Sequence, residues 1–188
     1  MSMTLKSETL LKYRSVQKTF IETGTYDGGT INKTITCGFD KYYGIEISGM
    51  HKDAVQTKFA NQIAEKTVNL FYGDSAFLFQ EVYEQVKFSP SVFWLDSHYD
   101  NNSDTKGNLD CTLYHELIIM KSNFHKQSII LIDDLRMFSK VGTWGANISL
   151  PQVIKHLKEI NADFVFNFEN GYTENDILVA IDSHFINN

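Results

Sequence analysis

The feature that most constrains this chain is a gap too short for a helix. Apolar runs rich in β-formers recur at Lys18–Glu22 (KTFIE), Tyr42–Ile47 (YYGIEI), Val68–Tyr72 (VNLFY), Val92–Asp96 (VFWLD), Ser128–Asp133 (SIILID), Asp163–Phe168 (DFVFNF) and Asp176–Ile181 (DILVAI). Most are near-continuous rather than alternating, which is how strands buried on both faces read. Helical patterning fills 29–37, 49–66, 75–87, 109–123 and 150–160, and a further stretch at 4–16 precedes the first run. Such alternation predicts parallel crossovers and a doubly wound α/β sheet. Only seven residues, ENGYTEN, separate the last two runs. They cannot hold a crossover helix and are rich in turn formers, so the final pair is predicted to be antiparallel. The expected fold is a Rossmann-like, seven-stranded sheet with an antiparallel last strand, built as one domain over residues 1–188. Ser75 reads as a helix N-cap and Pro151 as a first-turn proline.

Composition narrows the function. With 43% apolar residues the chain has material for a real core, and 17 basic against 23 acidic residues leave a net charge of −6. No basic block offsets that excess, which argues against a nucleic-acid partner. Two cysteines, Cys37 and Cys111, are too few for a disulfide framework, so a reducing, cytoplasmic setting is the expectation. No stretch approaches the roughly 20 apolar residues of a membrane span.

The first strand runs into Glu22-Thr-Gly24-Thr25-Tyr26-Asp-Gly28-Gly-Thr30 and then a helix. A glycine turn there lets a ligand approach the backbone and the helix N-terminus. A dinucleotide fingerprint would need a second glycine at position 26, where this chain has Tyr26, so a ligand without a pyrophosphate is favoured. Glu46, at the second strand end, is placed to accept from ribose hydroxyls. Gly73-Asp74-Ser75, at the third, puts short polar groups where an adenine ring would lie.

Glu22-x-Gly24-x-Tyr26-x-Gly28-x-Thr30, followed by Glu46 and Gly73-Asp74-Ser75, resembles the class I S-adenosylmethionine-dependent methyltransferases. The resemblance is closest to the branch of catechol and macrocin-type sugar O-methyltransferases, and covers residues from about 18 to 182. It implies a seven-stranded sheet with the last strand antiparallel. It also implies S-adenosyl-L-methionine held by Glu22, Gly24, Thr25, Tyr26, Gly28, Thr30, Glu46, Gly73, Asp74 and Ser75.

The fourth and fifth strands end in Asp96-Ser-His98 and Asp133-Asp134. Ligands of open parallel sheets sit beyond these ends. Three carboxylates converging there repel one another unless a cation neutralises them, and hard oxygen ligands suit Mg²⁺ or Mn²⁺. The resembled branch holds a divalent cation at these positions. In its catechol enzymes the third ligand is an Asn and a catalytic Lys stands three residues past the first ligand, whereas its sugar-modifying members have Asp at the third. This chain has Asp134 and Tyr99 there, which favours a sugar over a catechol.

His98, two residues past Asp96, is the expected general base because its ordinary pKa lies near working pH. The polar stretch Tyr99–Leu109 and the long loop Arg136–Ser149, with Trp144 and Asn147, are expected at the site mouth, Trp144 as a platform for a sugar face. The function expected is metal-assisted O-methylation of a small-molecule or glycan acceptor. The alternatives are a metal-independent enzyme using His98 and Asp96, a nucleotide-binding oxidoreductase, and a non-catalytic binding module. The sequence leaves the oligomeric state open.

Overall fold

A computed structural model of the chain describes residues 4–99 and 103–185. The elements run α1 (Ser7–Tyr13), β1 (Thr19–Thr23), α2 (Gly29–Thr36), β2 (Lys41–Glu46), α3 (Gly49–Lys58), α4 (Ala60–Ala64), β3 (Val68–Tyr72), α5 (Ser75–Val86), β4 (Ser91–Leu95), α6 (Leu113–Met120), β5 (Ile129–Ile132), α7 (Leu150–Ile160), β6 (Phe164–Glu169) and β7 (Ile177–Asp182). The seven strands form one sheet in the order β3-β2-β1-β4-β5-β7-β6. β1 lies between β2 and β4, all three parallel, and β7 runs antiparallel to both β5 and β6. The expected fold is the observed one, a Rossmann-like sheet with an antiparallel last strand.

Each face of the sheet has its own core. On one, Ile21, Ile45, Phe93, Leu95 and Ile130 pack with Phe79, Leu117 and Leu157 from α5, α6 and α7. On the other, Phe20, Tyr42, Trp94 and Leu131 pack with Leu10, Ile31 and Val55 from α1, α2 and α3. That two-sided burial explains the unbroken apolar runs of the central strands.

Three details differ from the sequence reading. The stretch 49–66 is two helices broken at Phe59, whose ring is buried beneath Gly28. The stretch 109–123 turns helical only at Leu113, because its start pairs with the exit of β4: Tyr99 N donates to the Asp110 carbonyl at 2.8 Å, and His98 and Cys111 form an antiparallel bridge. Asp74, not Ser75, caps α5; its carboxylate accepts from Ala76 N at 2.9 Å.

Candidate active site

A cavity of about 650 Å³ opens at the carboxyl ends of β1, β2, β3, β4 and β5. Parallel strands direct their carboxyl ends to one edge, so residues distant in sequence meet there. Gly24, Tyr26, Glu46, Gly73, Asp74, Ser75, Asp96, His98, Asp133 and Asp134 all line it.

The β1 end is built around close backbone approach. Gly24 has φ +82°, and a Cβ there would stand 2.5 Å from the Asp96 carbonyl oxygen. Only glycine combines that conformation with that proximity. Tyr26, at φ +52°, packs its ring tilted against His51 with centroids 4.2 Å apart. Its backbone N–H donates to Glu46 at 2.6 Å, and Ser48 N donates to the other Glu46 oxygen at 2.7 Å. Burial raises the Glu46 pKa while these backbone donors oppose the rise. Ile47 N–H adds a third backbone donor, and the carboxylate still keeps acceptor capacity for the cavity.

Four residues expected at the cofactor stand behind the cavity instead of lining it: Glu22, Thr25, Gly28 and Thr30. Glu22 is 1% exposed, accepts from the Tyr42 hydroxyl and is hydrogen-bonded by Thr30. Burial pushes its carboxyl up to about 8. Thr25 lies 3.3 Å from the same Tyr42 hydroxyl, and Gly28 adopts φ +72° at the N-cap of α2. For Glu22 the physical reason is pleat: a β1 side chain points into one face of the sheet, and Tyr42 on β2 reaches it first.

Asp74 pins the loop after β4 across the cavity. Its second oxygen accepts from Asn108 N at 2.9 Å, and Asp104 is hydrogen-bonded by Ser48. Thr105, Gly107 and Leu109 line the cavity from this loop. Residues 100–102 of the expected mouth lie outside the described residues.

The expected metal trio divides into two groups that share Asp134. Donor atoms of Asp96, His98 and Asp134 lie within 4.8 Å of one another, as do those of Asp133, Asp134 and Asp176. His98 Nε2 stands 3.0 Å from Asp134 and 3.5 Å from Asp96. Arg136 pairs with Asp134 at 2.5 Å and with Asp176. Burial raises Asp96, and pushes Asp133 up to about 8 with help from the Asp96 and Asp134 charges. Burial also acts to raise Asp134, but His98 and Arg136 outweigh it and hold that carboxyl low. Three or four hard or borderline donors in so small a space fit a divalent cation.

The His98 side chain departs from the expected neutral base. Burial disfavours its charge, yet the two flanking carboxylates win and raise it to about 10. Trp144 also departs from expectation. Its ring stacks on His98 at 4.4 Å and 10°, and it lines a smaller side cavity, not the main one. Asn147 is exposed beside it.

The sequence reading missed Thr4, which lines the cavity and hydrogen-bonds Asp133, and the rim pair Arg136 and Tyr172, 4.7 Å apart. It also missed Glu116, a fully buried carboxyl of α6 that accepts from Thr112 at 2.7 Å and Ser75 at 3.0 Å. The signal was a single acidic residue inside the apolar helix LYHELIIM.

No family model and no curated protein matches the sequence. Solved structures do. A candidate caffeoyl-CoA O-methyltransferase from Staphylococcus aureus is 15% identical, with a TM-score of 0.56 over 88% of this chain and 76% of that one. A candidate rRNA methylase from Clostridium thermocellum is 14% identical, with a TM-score of 0.63 over 94% of both chains. A Podospora anserina methyltransferase solved with S-adenosylhomocysteine is 13% identical, with a TM-score of 0.58 over 88% of this chain and 72% of that one. At these identities the likeness shows the fold, which is that of the Rossmann-like methyltransferases.

Proposed function

We propose that this protein is an S-adenosylmethionine-dependent O-methyltransferase, assisted by Mg²⁺ or Mn²⁺, that methylates a hydroxyl of a sugar or other glycan. The observation that carries the reading is that one cavity joins two chemistries. Gly24 and Glu46 stand at its nucleoside end, and the Asp96–His98–Asp134 cluster stands at the other.

When bound, the cofactor supplies an electrophilic methyl group and the cation supplies a Lewis acid that eases deprotonation of a coordinated hydroxyl. The chain's own residues orient and exclude. Glu46 accepts from the ribose hydroxyls, held in place by the N–H groups of Tyr26 and Ser48. The bare backbone of Gly24 lets the reacting end lie against Asp96. Glu22, Thr25, Gly28 and Thr30 keep that turn in shape from behind. Asp96, Asp133 and Asp134 would hold the cation, and His98, whose Nε2 stands 3.0 Å from Asp134 and 3.5 Å from Asp96, would take the proton of the acceptor hydroxyl. Holding donor and acceptor in line supplies most of the rate gain such a transfer needs.

The sugar preference rests on Asp134 and Tyr99 standing where catechol enzymes have Asn and Lys, and on a rim of carboxylates that can accept from several hydroxyls. Tyr172, 77% exposed at the rim, offers an aromatic face for a sugar ring. Net charge of −6 speaks against an RNA acceptor. Tyr26 stands where a dinucleotide fingerprint would have its second glycine, which speaks against an oxidoreductase. No helix among the described residues is long and apolar enough to cross a membrane, in keeping with an acceptor met in water in the cytoplasm.

Isothermal titration with S-adenosylhomocysteine tests the cofactor. Micromolar binding is expected, weakened about 10-fold by Glu46→Gln, which loses a charge-assisted acceptor. No heat at millimolar ligand would end the reading. The cation is tested separately by titrating Mn²⁺ and following its paramagnetic resonance. Submillimolar binding is expected in the wild type and at least about 10-fold weaker binding in Asp134→Ala. Equal binding in the two would leave the metal-independent alternative. Mass spectrometry of a glycoside panel incubated with isotope-labelled cofactor then reads the acceptor.

A further inference from the structure

One of the two acidic groups at the far end of the cavity already holds a cation, and that cation is Arg136. Asp133, Asp134 and Asp176 bring one oxygen each within 4.8 Å of one another, and none of the three residues is more than 6% exposed. Buried carboxylates so close repel one another unless positive charge is set among them. Arg136 Nη1 supplies it, 2.5 Å from Asp134 Oδ1 and paired with Asp176 as well. The other oxygen of Asp134 faces the other group, 3.0 Å from His98 Nε2.

The guanidinium is held in place from several sides. Asp134 adopts φ +62°, and past it Leu135 N donates to the Asp176 carbonyl at 2.9 Å and Arg136 N to the Asp176 carboxylate at 3.0 Å. The Tyr172 ring covers the guanidinium, with 4.7 Å between its centroid and Cζ. Main chain, carboxylates and ring therefore fix Arg136 beside Asp134. A guanidinium carries a permanent charge and offers only N–H donors. It neutralises carboxylates but cannot coordinate an oxygen as a metal ion does.

We propose that Arg136 is a built-in cation standing where a second divalent ion would otherwise bind, so that these carboxylates take one ion and not a pair. The inference rests on the cation reading above and goes past it, to the number of ions. Carboxylates that share two ions are the setting for two-metal chemistry, in which one ion serves the attacking oxygen and the other the leaving one. With Arg136 in place, the acceptor meets a single Lewis acid. Arg136 is a positioning residue, since it acts on the ion through Asp134.

The test counts ions, by titrating Mn²⁺ and following its paramagnetic resonance. Wild type is expected to bind about one ion per chain, and Arg136→Gln, which removes the resident charge and vacates its position, about two. Arg136→Lys keeps a cation on Asp134 and Asp176 and stays at about one. Arg136→Gln that still binds one ion, or a wild type that binds two, overturns the inference while the cation reading survives. A wild type that binds none overturns the cation reading, and the inference with it. Arg136→Gln leaves Asp176 buried without its charge partner, and if the variant is too unstable to titrate, thermal unfolding answers the same question. Mn²⁺ is expected to raise the midpoint of Arg136→Gln by at least about 5 °C more than that of wild type, because the ion replaces the missing charge. An equal rise in the two proteins means that Arg136 is a salt-bridge partner only, and overturns the inference.

Discussion

Gly24→Ala is expected to lower unfolding free energy by about 3 kcal/mol and to weaken S-adenosylhomocysteine at least about 100-fold. Two costs combine. The residue sits at φ +82°, where an L side chain is strained, and the new methyl would lie 2.5 Å from the Asp96 carbonyl oxygen and 3.1 Å from its carbon. The obstacle is backbone of a neighbouring strand end, so it cannot turn aside as a side chain can. Relief requires β1 and β4 to separate at the point where the two halves of the site meet.

Gly142→Ala is the matched control. It has φ +80° with nothing within 4 Å of an added Cβ, so it carries the conformational strain alone, about 1 kcal/mol. Denaturant titration of both variants separates strain from collision. If Gly24→Ala costs no more than Gly142→Ala and binds normally, the turn after β1 does not touch the ligand.

Glu22→Gln is expected to gain stability over wild type as pH rises, by up to about 4 kcal/mol at pH 9. The sign follows from proton counts. An unfolded Glu titrates at its ordinary 4.5, whereas the buried carboxyl, neutral beside the Tyr42 hydroxyl, is raised to about 8. Between those values the folded chain binds more protons than the unfolded one, so wild-type stability falls as pH rises through the window. Glutamine has no proton to release, keeps a carbonyl for the Tyr42 donor, and does not follow that fall. Asp133, raised to about 8, Glu116, raised to about 7, and His98, raised to about 10, tilt the curve the same way. They do so in both proteins and cancel in the difference. Urea titrations at pH 5, 7 and 9 read the gap, and a constant gap means that Glu22 ionises normally in the fold.

The strands were legible because burial on both faces writes itself as unbroken apolar runs. Val68–Tyr72 is matched residue for residue, and each bound of the other six is off by one residue. The strand ends followed, since parallel strands must deliver Glu46, Asp96, Asp133 and Asp134 to one edge. What lay on helices and in long-range pairings was not legible. Nothing in the local sequence says that Tyr42 takes up Glu22, or that Arg136 pairs with both Asp134 and Asp176. Phe59 breaks a helix because of what it packs on, not because of its own preference. Glu116 was visible as an anomaly in an apolar helix, but its partners Thr23 and Ser75 come from other elements and only the fold assembles them.

The position of β7 bears on how the protein is made. The last strand in the chain is an interior one, buried along its whole length between β5 and β6. During synthesis, Ile129–Ile132 therefore emerges with a bare hydrogen-bonding edge that stays open until Ile177–Asp182 has left the ribosome. A nascent chain stalled before that point carries a four-residue aliphatic edge of the kind that templates association with another chain. The closing pairing is non-local, so it is also among the slower ones to form. Sheet completion is thus a late event, and quality control acting on the emerging polypeptide has a long interval in which to engage it.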